Sequence, residues 1–183
     1  MSHQSTVTLS LADAQDRQSI YALRHQVYAH ELGQYRENGD GVLTDVLDEV
    51  NAYLVAKRGQ GIVGFVAITP PNQHGYSVDK YFARRDLPFV FDDGLYEVRL
   101  LTVVESDRRT MLATLLMYGA LRYVESRGAR VIVAIGRRQV LGLYERAGLR
   151  SQGLHVQAGA VFYELLCADV RDLRSRLGEF GAL

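Results

Sequence analysis

Two stretches of the chain carry side chains suited to chemistry. In "VVESDRRTMLATLLM", residues 103–117, an apolar run passes through a charged tetrapeptide into a helical pattern. A helix start presents free backbone N–H groups and the positive end of its dipole, so such a junction suits a phosphate. Glycine usually lets the backbone approach a ligand of that kind. This loop has none and offers Arg108 and Arg109, whose guanidinium groups make charge-assisted bonds to phosphate. The alternative is a solvated helix start, although cations there oppose the dipole and Asp107 offsets only part of that. The second stretch is "LYEVRLLTVV", residues 95–104, in which Glu97 stands between Tyr96 and Val98. A carboxylate in apolar surroundings titrates above its usual range, which suits a base working near neutrality. Its alternative role is an ion pair with Arg99, two residues on and therefore on the same strand face.

The elements that must position these residues follow from periodicity. "TVTLSL" (6–11) alternates as a strand, and Asp13 caps a helix carrying Ile20, Leu23, Val27 and Leu32. "LGQYRENGDG" breaks that helix, and "AYLVAKRGQGIVGFVAIT" (52–69) reads as a hairpin around "RGQG". "TPPNQHGYS" is loop, while "DKYFARRDLPF" reads as either loop or a helix stopping at Pro88. Residues 95–104 form a strand. The next helix has the clearest pattern, with Leu112, Leu115, Leu116, Gly119, Ala120, Tyr123 and Val124 on one face. "ARVIVAIG" (129–136) is a short strand buried on both faces, so strand, helix and strand form a parallel pair. "QVLGLYERAGL" adds a short helix stopped by Gly148, "AGAVFYELL" (158–166) a last strand, and "ADVRDLRSRLGEF" a terminal amphipathic helix.

Composition narrows the function classes. With 183 residues, 48% of them apolar, the chain suits one α/β domain over 1–183 with a real core. A net charge of zero provides no global field for nucleic acid or an anionic membrane. Cys167 stands alone, which excludes an internal disulfide and marks a structural thiol. "MSHQSTVTLS" lacks the pattern of a secretory leader and "VIVAI" is too short to span a bilayer, so a soluble, cytoplasmic protein is expected. His25, His30, His74 and His155 show no metal-ligand spacing, and no metal is expected. Neither a G-x-S-x-G elbow nor a phosphate-loop lysine motif is present.

The order of elements, with "LYERAGL" following a buried strand, resembles the GNAT acyltransferase superfamily over roughly residues 6–166. The superfamily's short-helix pattern L-Y-x-x-x-G-F is met by Leu143, Tyr144, Gly148 and Leu149. That resemblance implies a mixed central sheet with a splayed parallel strand pair and flanking helices. It also implies transfer of an acyl group from a phosphopantetheine thioester to an amine by direct aminolysis. The superfamily's Q/R-x-x-G-x-G/A loop falls on Arg108, Met111 and Ala113, and the donor-binding stretch it implies is Arg108, Arg109 and Met111 to Thr114, including Leu112. The pantetheine arm is expected along Leu101, Thr102 and Val103. Met111 departs from the pattern, so wrapping a pyrophosphate depends on its φ angle, and the missing glycine suggests a donor other than plain acetyl-CoA. Tyr144 takes the place of the general acid for the leaving thiolate, and Glu97 that of the base. A core tyrosine is the alternative for Tyr144. Arg137 stands where many relatives carry asparagine and joins a basic rim with Arg108 and Arg109.

A narrower similarity points to acyl-homoserine-lactone and N-acyl amino acid synthases. Arg24 and Tyr28 are followed by Tyr35, then Asp45 and Asp48, then "EVR" at 97–99 with Val98 in place of serine. It implies an acceptor pocket involving Arg24, Tyr28 and Arg99, and an acyl carrier protein as an alternative donor to acyl-CoA. Loops at 33–44 and 70–94 are expected to line that pocket. An aminoacyl-tRNA donor would match the basic rim but not the zero net charge. A non-catalytic acyl-CoA-binding module is the rival from another class.

Overall fold

The computed structural model describes residues 6–178. Strand β1 (Val7–Leu11) leads into α1 (Ala14–Arg24). Asp13 caps α1, accepting from the backbone of Gln15 at 2.8 Å and Asp16 at 2.9 Å, while Asp16 answers at the Asp13 N–H. The helix runs without a break into a wider π-helical turn, His25–Glu31, a form often found at functional sites. After a short 3-10 turn at Val46–Glu49 come the hairpin strands β2 (Ala52–Arg58) and β3 (Gly61–Thr69), then β4 (Leu95–Val103). Helix α2 (Leu112–Ser126), β5 (Val131–Arg137), α3 (Leu141–Ala147), β6 (Arg150–Ala158), β7 (Val161–Asp169) and α4 (Val170–Gly178) complete the order.

The strands form one seven-stranded sheet in the order β1-β2-β3-β4-β5-β7-β6, with β4 and β5 parallel and the other neighbours antiparallel. Alternation along each strand sends side chains to the two faces of the sheet, where three apolar clusters form. Leu54, Ala56, Val66, Tyr96, Ile132 and Leu166 face α2 and α4. Tyr53, Val55, Phe65 and Ala67 face α1. Leu95, Val133 and Leu165 meet Tyr76, Val78 and Leu87 from the segment that crosses between β3 and β4.

Two sequence expectations need correction. Residues 150–158, to which the periodicity assigns no element, are a further strand, β6, with Leu154, Val156 and Ala158 on alternate positions, and the strand expected over 158–166 is β7 at Val161–Asp169. Gly153 (φ +71) interrupts that alternation at a shift in register, so the pattern is weak when read along the sequence alone. The helical alternative for 79–94 also fails. That segment contains only short 3-10 turns at Ser77–Lys80 and Arg84–Asp86, and it is held by the apolar packing of Phe82, Phe89 and Phe91 rather than by helix bonds.

Candidate active site

The site is made by a parallel pair that stops pairing. β4 and β5 register only at Leu95–Val131, Tyr96–Ile132 and Glu97–Val133. Beyond Glu97, β4 continues along β3 while β5 continues along β7, so a wedge opens between them. A bulge on β4 accompanies the split: Arg99 pairs with Ala67 and Thr102 with Phe65, leaving Leu100 and Leu101 opposite Val66 alone. Leu100 has φ 55, in the left-handed region, a strain of roughly 1–3 kcal/mol for a residue with a side chain. The Thr102 hydroxyl donates to the Leu100 carbonyl at 2.9 Å and accepts from the Tyr28 hydroxyl at 3.3 Å, bracing the bulge against the π-helical turn.

A cavity of about 190 Å³ passes through the wedge. On the α2 side its wall is apolar, with Leu101, Val103, Ala113, Met117, Ala120, Leu121 and Leu149. Tyr144 of α3 also lines it. Burial, with Tyr28 close by, pushes the Tyr144 phenol well above its ordinary value, so it stays protonated at any physiological pH. Gly136 on β5 makes room for it, since a Cβ there would lie 2.9 Å from two atoms of the Tyr144 ring. On the α1 side the wall is polar: Tyr28, Arg99, Arg137 and Tyr163, the last two opposite one another in the β5–β7 register. The Tyr163 hydroxyl donates to Gln34 in the loop that follows the π-helical turn.

At the mouth lies the start of α2. Its first bond back to the loop is from the Leu115 N–H to the Met111 carbonyl at 2.9 Å, so the N–H groups of Ala113 and Thr114 find no partner among the described residues. Met111 has φ −71, which any residue adopts, and its side chain is 62% exposed. The loop therefore needs no glycine there, and the methionine by itself says nothing about the donor.

The family model described as the Acetyltransferase (GNAT) family matches residues 14–149. The chain belongs to that family. It is an N-acyltransferase enzyme. Among solved structures, the CoA-dependent acyl-homoserine lactone synthase BjaI with SAM and isopentyl-CoA superposes with a TM-score of 0.77 at 20% identity, over 96% of this chain and 90% of that one. The acyl-homoserine lactone synthase LasI gives 0.78 at 17% identity, covering 94% and 95%. A GNAT acetyltransferase from Streptococcus pneumoniae gives 0.66 at 16% identity, covering 90% and 99%. No curated protein matches in sequence.

Within this N-acyltransferase, Leu101, Val103, Arg108, Ala113, Arg137, Tyr144, Tyr28 and Arg99 all come together at the cavity. Thr102 and Leu112 are buried beside it, the first bracing the bulge and the second in the α2 core. Arg109, Met111 and Thr114 stand at the helix start outside the wall. Arg108 lines the mouth, but its Nε donates to the Val103 carbonyl at 3.0 Å and its Nη2 pairs with Glu31. Its charge is therefore already answered. Asp107, expected to offset the arginines, pairs instead with Arg58.

Glu97 and Arg99 share a face, yet no ion pair joins them. Arg99 binds Asp45 at 2.6 Å. Glu97 is fully buried, accepting from the Ser77 N–H at 2.7 Å, the Val78 N–H at 3.2 Å and the Ser77 hydroxyl. Burial pushes its carboxyl above the ordinary value despite those donors and the nearby Arg99. The cavity wall does not include it.

Arg24 is likewise behind the wall, in a buried ionic cluster. It donates to both carboxylate oxygens of Asp48 at 2.7 and 2.9 Å and lies 3.3 Å from Asp45. Asp45 caps the 3-10 turn, and Asp48 returns the bond to the Asp45 N–H at 2.7 Å, so local turn chemistry sets both carboxylates. Tyr53 donates its hydroxyl to Asp48. Burial would raise the Asp45 carboxyl, but Arg99 and Arg24 outweigh it and hold it below the usual range. Lys80 also helps to lower the Asp45 carboxyl, while burial raises the Tyr81 phenol against the opposing charge of Arg99.

Tyr163, Gln34, Gly136 and the Leu100 bulge were not singled out from the sequence. Tyr163 and Gly136 read there as ordinary strand residues, and a bulge has no side-chain signature.

Proposed function

We propose that this N-acyltransferase moves an aliphatic acyl group from a phosphopantetheine thioester to the amine of a small, amino-acid-like acceptor. The observation that carries the reading is the cavity crossing the sheet at the β4–β5 split, apolar on one face and rich in hydroxyls and charge on the other. The donor lies on the α2 side, its pyrophosphate at the helix start and its pantetheine arm along Leu101 to Val103. Its acyl tail follows the apolar wall toward Ala120 and Leu121. The acceptor lies on the α1 side among Tyr28, Arg99 and Tyr163.

The amine nitrogen attacks the thioester carbon, and N–H groups at the bulge polarise the carbonyl. The C–N bond forms, the C–S bond breaks, and its electron pair passes to sulfur, which takes the Tyr144 hydroxyl proton. The proton lost by the amine restores Tyr144 through water. In this reading Glu97 is a positioning residue rather than the base. Its carboxylate holds the Ser77–Lys80 turn, and with it Lys80 and Tyr81, beside the acceptor.

S-adenosylmethionine is the first acceptor to test, because the BjaI structure contains it beside isopentyl-CoA. Mass spectrometry of products, with one acyl series presented on CoA and on a phosphopantetheinyl carrier protein, tests the reaction and separates the two donors. Acyl-amine formation with either donor is expected. Strictly acetyl-CoA-selective turnover, a product destroyed by ribonuclease, or donor binding with no transfer to any amine would sink the reading.

A further inference from the structure

We infer that Leu173 of α4 is a specificity-determining residue, the floor against which the donor's acyl tail ends. The inference rests on the reading of the apolar half of the cavity as the acyl site. The segment matched by the family model ends at residue 149, before α4 begins. Yet Leu173 lines the cavity with Leu121, Ala147 and Leu149, and is itself 2% exposed. The acyl end of the site is therefore incomplete without a helix that lies outside the matched region.

The placement of α4 is firmly held. The Val170 N–H donates to the Arg130 carbonyl at 2.9 Å, fixing the helix start against the strand that begins β5. Arg174 pairs with Glu125 of α2 at 3.3 Å. Gly148, which stops α3 at φ +102, lies beneath Leu173. A Cβ at Gly148 would be 2.8 Å from Leu173 Cδ2, so the glycine that the positive φ requires also leaves Leu173 undisplaced. The floor is thus a single leucine on a fixed backbone, and its volume rather than its mobility sets the depth.

A tail that grows toward this floor gains apolar burial with each methylene, about fourfold in affinity. A tail that reaches Leu173 must displace packed atoms, and the gain reverses. Donor affinity as a function of acyl length therefore has a turning point, and Leu173 sets where it falls.

The test is calorimetric titration of the protein with acyl-CoAs from acetyl to dodecanoyl, which requires no acceptor. Leu173→Val and Leu173→Ala are expected to move the turning point to longer chains by one or two methylenes. Leu173→Phe is expected to move it to shorter ones. The valine variant keeps the experiment decisive if truncation to alanine compromises folding. An unchanged turning point in both the valine and phenylalanine variants would overturn the role of Leu173 while leaving the acyl site standing. Wild-type affinity indifferent to acyl length would overturn the acyl site itself.

Discussion

The two faces of the β4–β5 split are built by opposite means. The α2 face is built from backbone and apolar surface: N–H groups at a helix start that find no partner among the described residues, a bulge and a leucine-lined wall. Its cations are secondary, since Arg108 is occupied by Glu31 and the Val103 carbonyl. The α1 face is built from side chains already committed to one another, with Arg24, Asp48, Asp45, Arg99 and Tyr53 in one buried network. The first design tolerates changes of side chain because the donors are peptide groups. The second does not, because each buried charge is satisfied only by its neighbours.

The largest expected effect is on the α1 face. Arg24→Ala leaves Asp48 buried without its cation and should cost about 3–5 kcal/mol, read from chemical denaturation. The same network gives a pH signature. Asp45 is held below its ordinary value of 3.8, so its contribution to stability is full above that value and is lost as the pH falls through the lower folded value. Asp45→Asn should flatten the acid limb of stability; an acid limb as steep as wild type would show that the ionic network does not govern it.

Next comes the group between the two faces. Tyr144→Phe should lower kcat by about a hundredfold, the low end for lost general acid catalysis, with donor affinity nearly unchanged. Since burial raises the Tyr144 phenol, the wild-type rate should show no alkaline fall from this group below pH of about 10. Equal loss of kcat and donor affinity would instead mark Tyr144 as a packing residue.

Glu97→Gln separates positioning from base catalysis. The expected result is acceptor KM raised by about tenfold, equivalent to about 1.4 kcal/mol of binding, with the pH profile of kcat retained. A kcat that falls steeply and loses its acidic limb would restore Glu97 as the base. The smallest effect is expected at the donor loop: Met111→Gly should change stability by only a few tenths of a kcal/mol and donor affinity less than about twofold. A large gain in donor affinity would mean that the methionine obstructs the pyrophosphate after all.

What the sequence alone determined is what local physics encodes. The Asp13 cap, the apolar stripe of α2, the "RGQG" hairpin and the Gly148 stop all depend on neighbours a few residues apart, and together with "LYERAGL" they were enough for the fold and for placing Tyr144 next to the β5 strand. The start of α2 was legible for the same reason, since a helix start is a local feature. The sequence was less informative where partners are distant. Glu97 and Arg99 stand two residues apart, but their partners are Ser77, Val78 and Asp45, brought in by loops 20, 19 and 54 residues away. Arg108 likewise finds Glu31 across 77 residues. The weak alternation of 150–158 became a strand only by pairing with β7. The split between β4 and β5, the left-handed Leu100 and the floor at Leu173 were decided by tertiary structure. Each depends on where separate elements stop or start touching, and no residue type at any spacing encodes that.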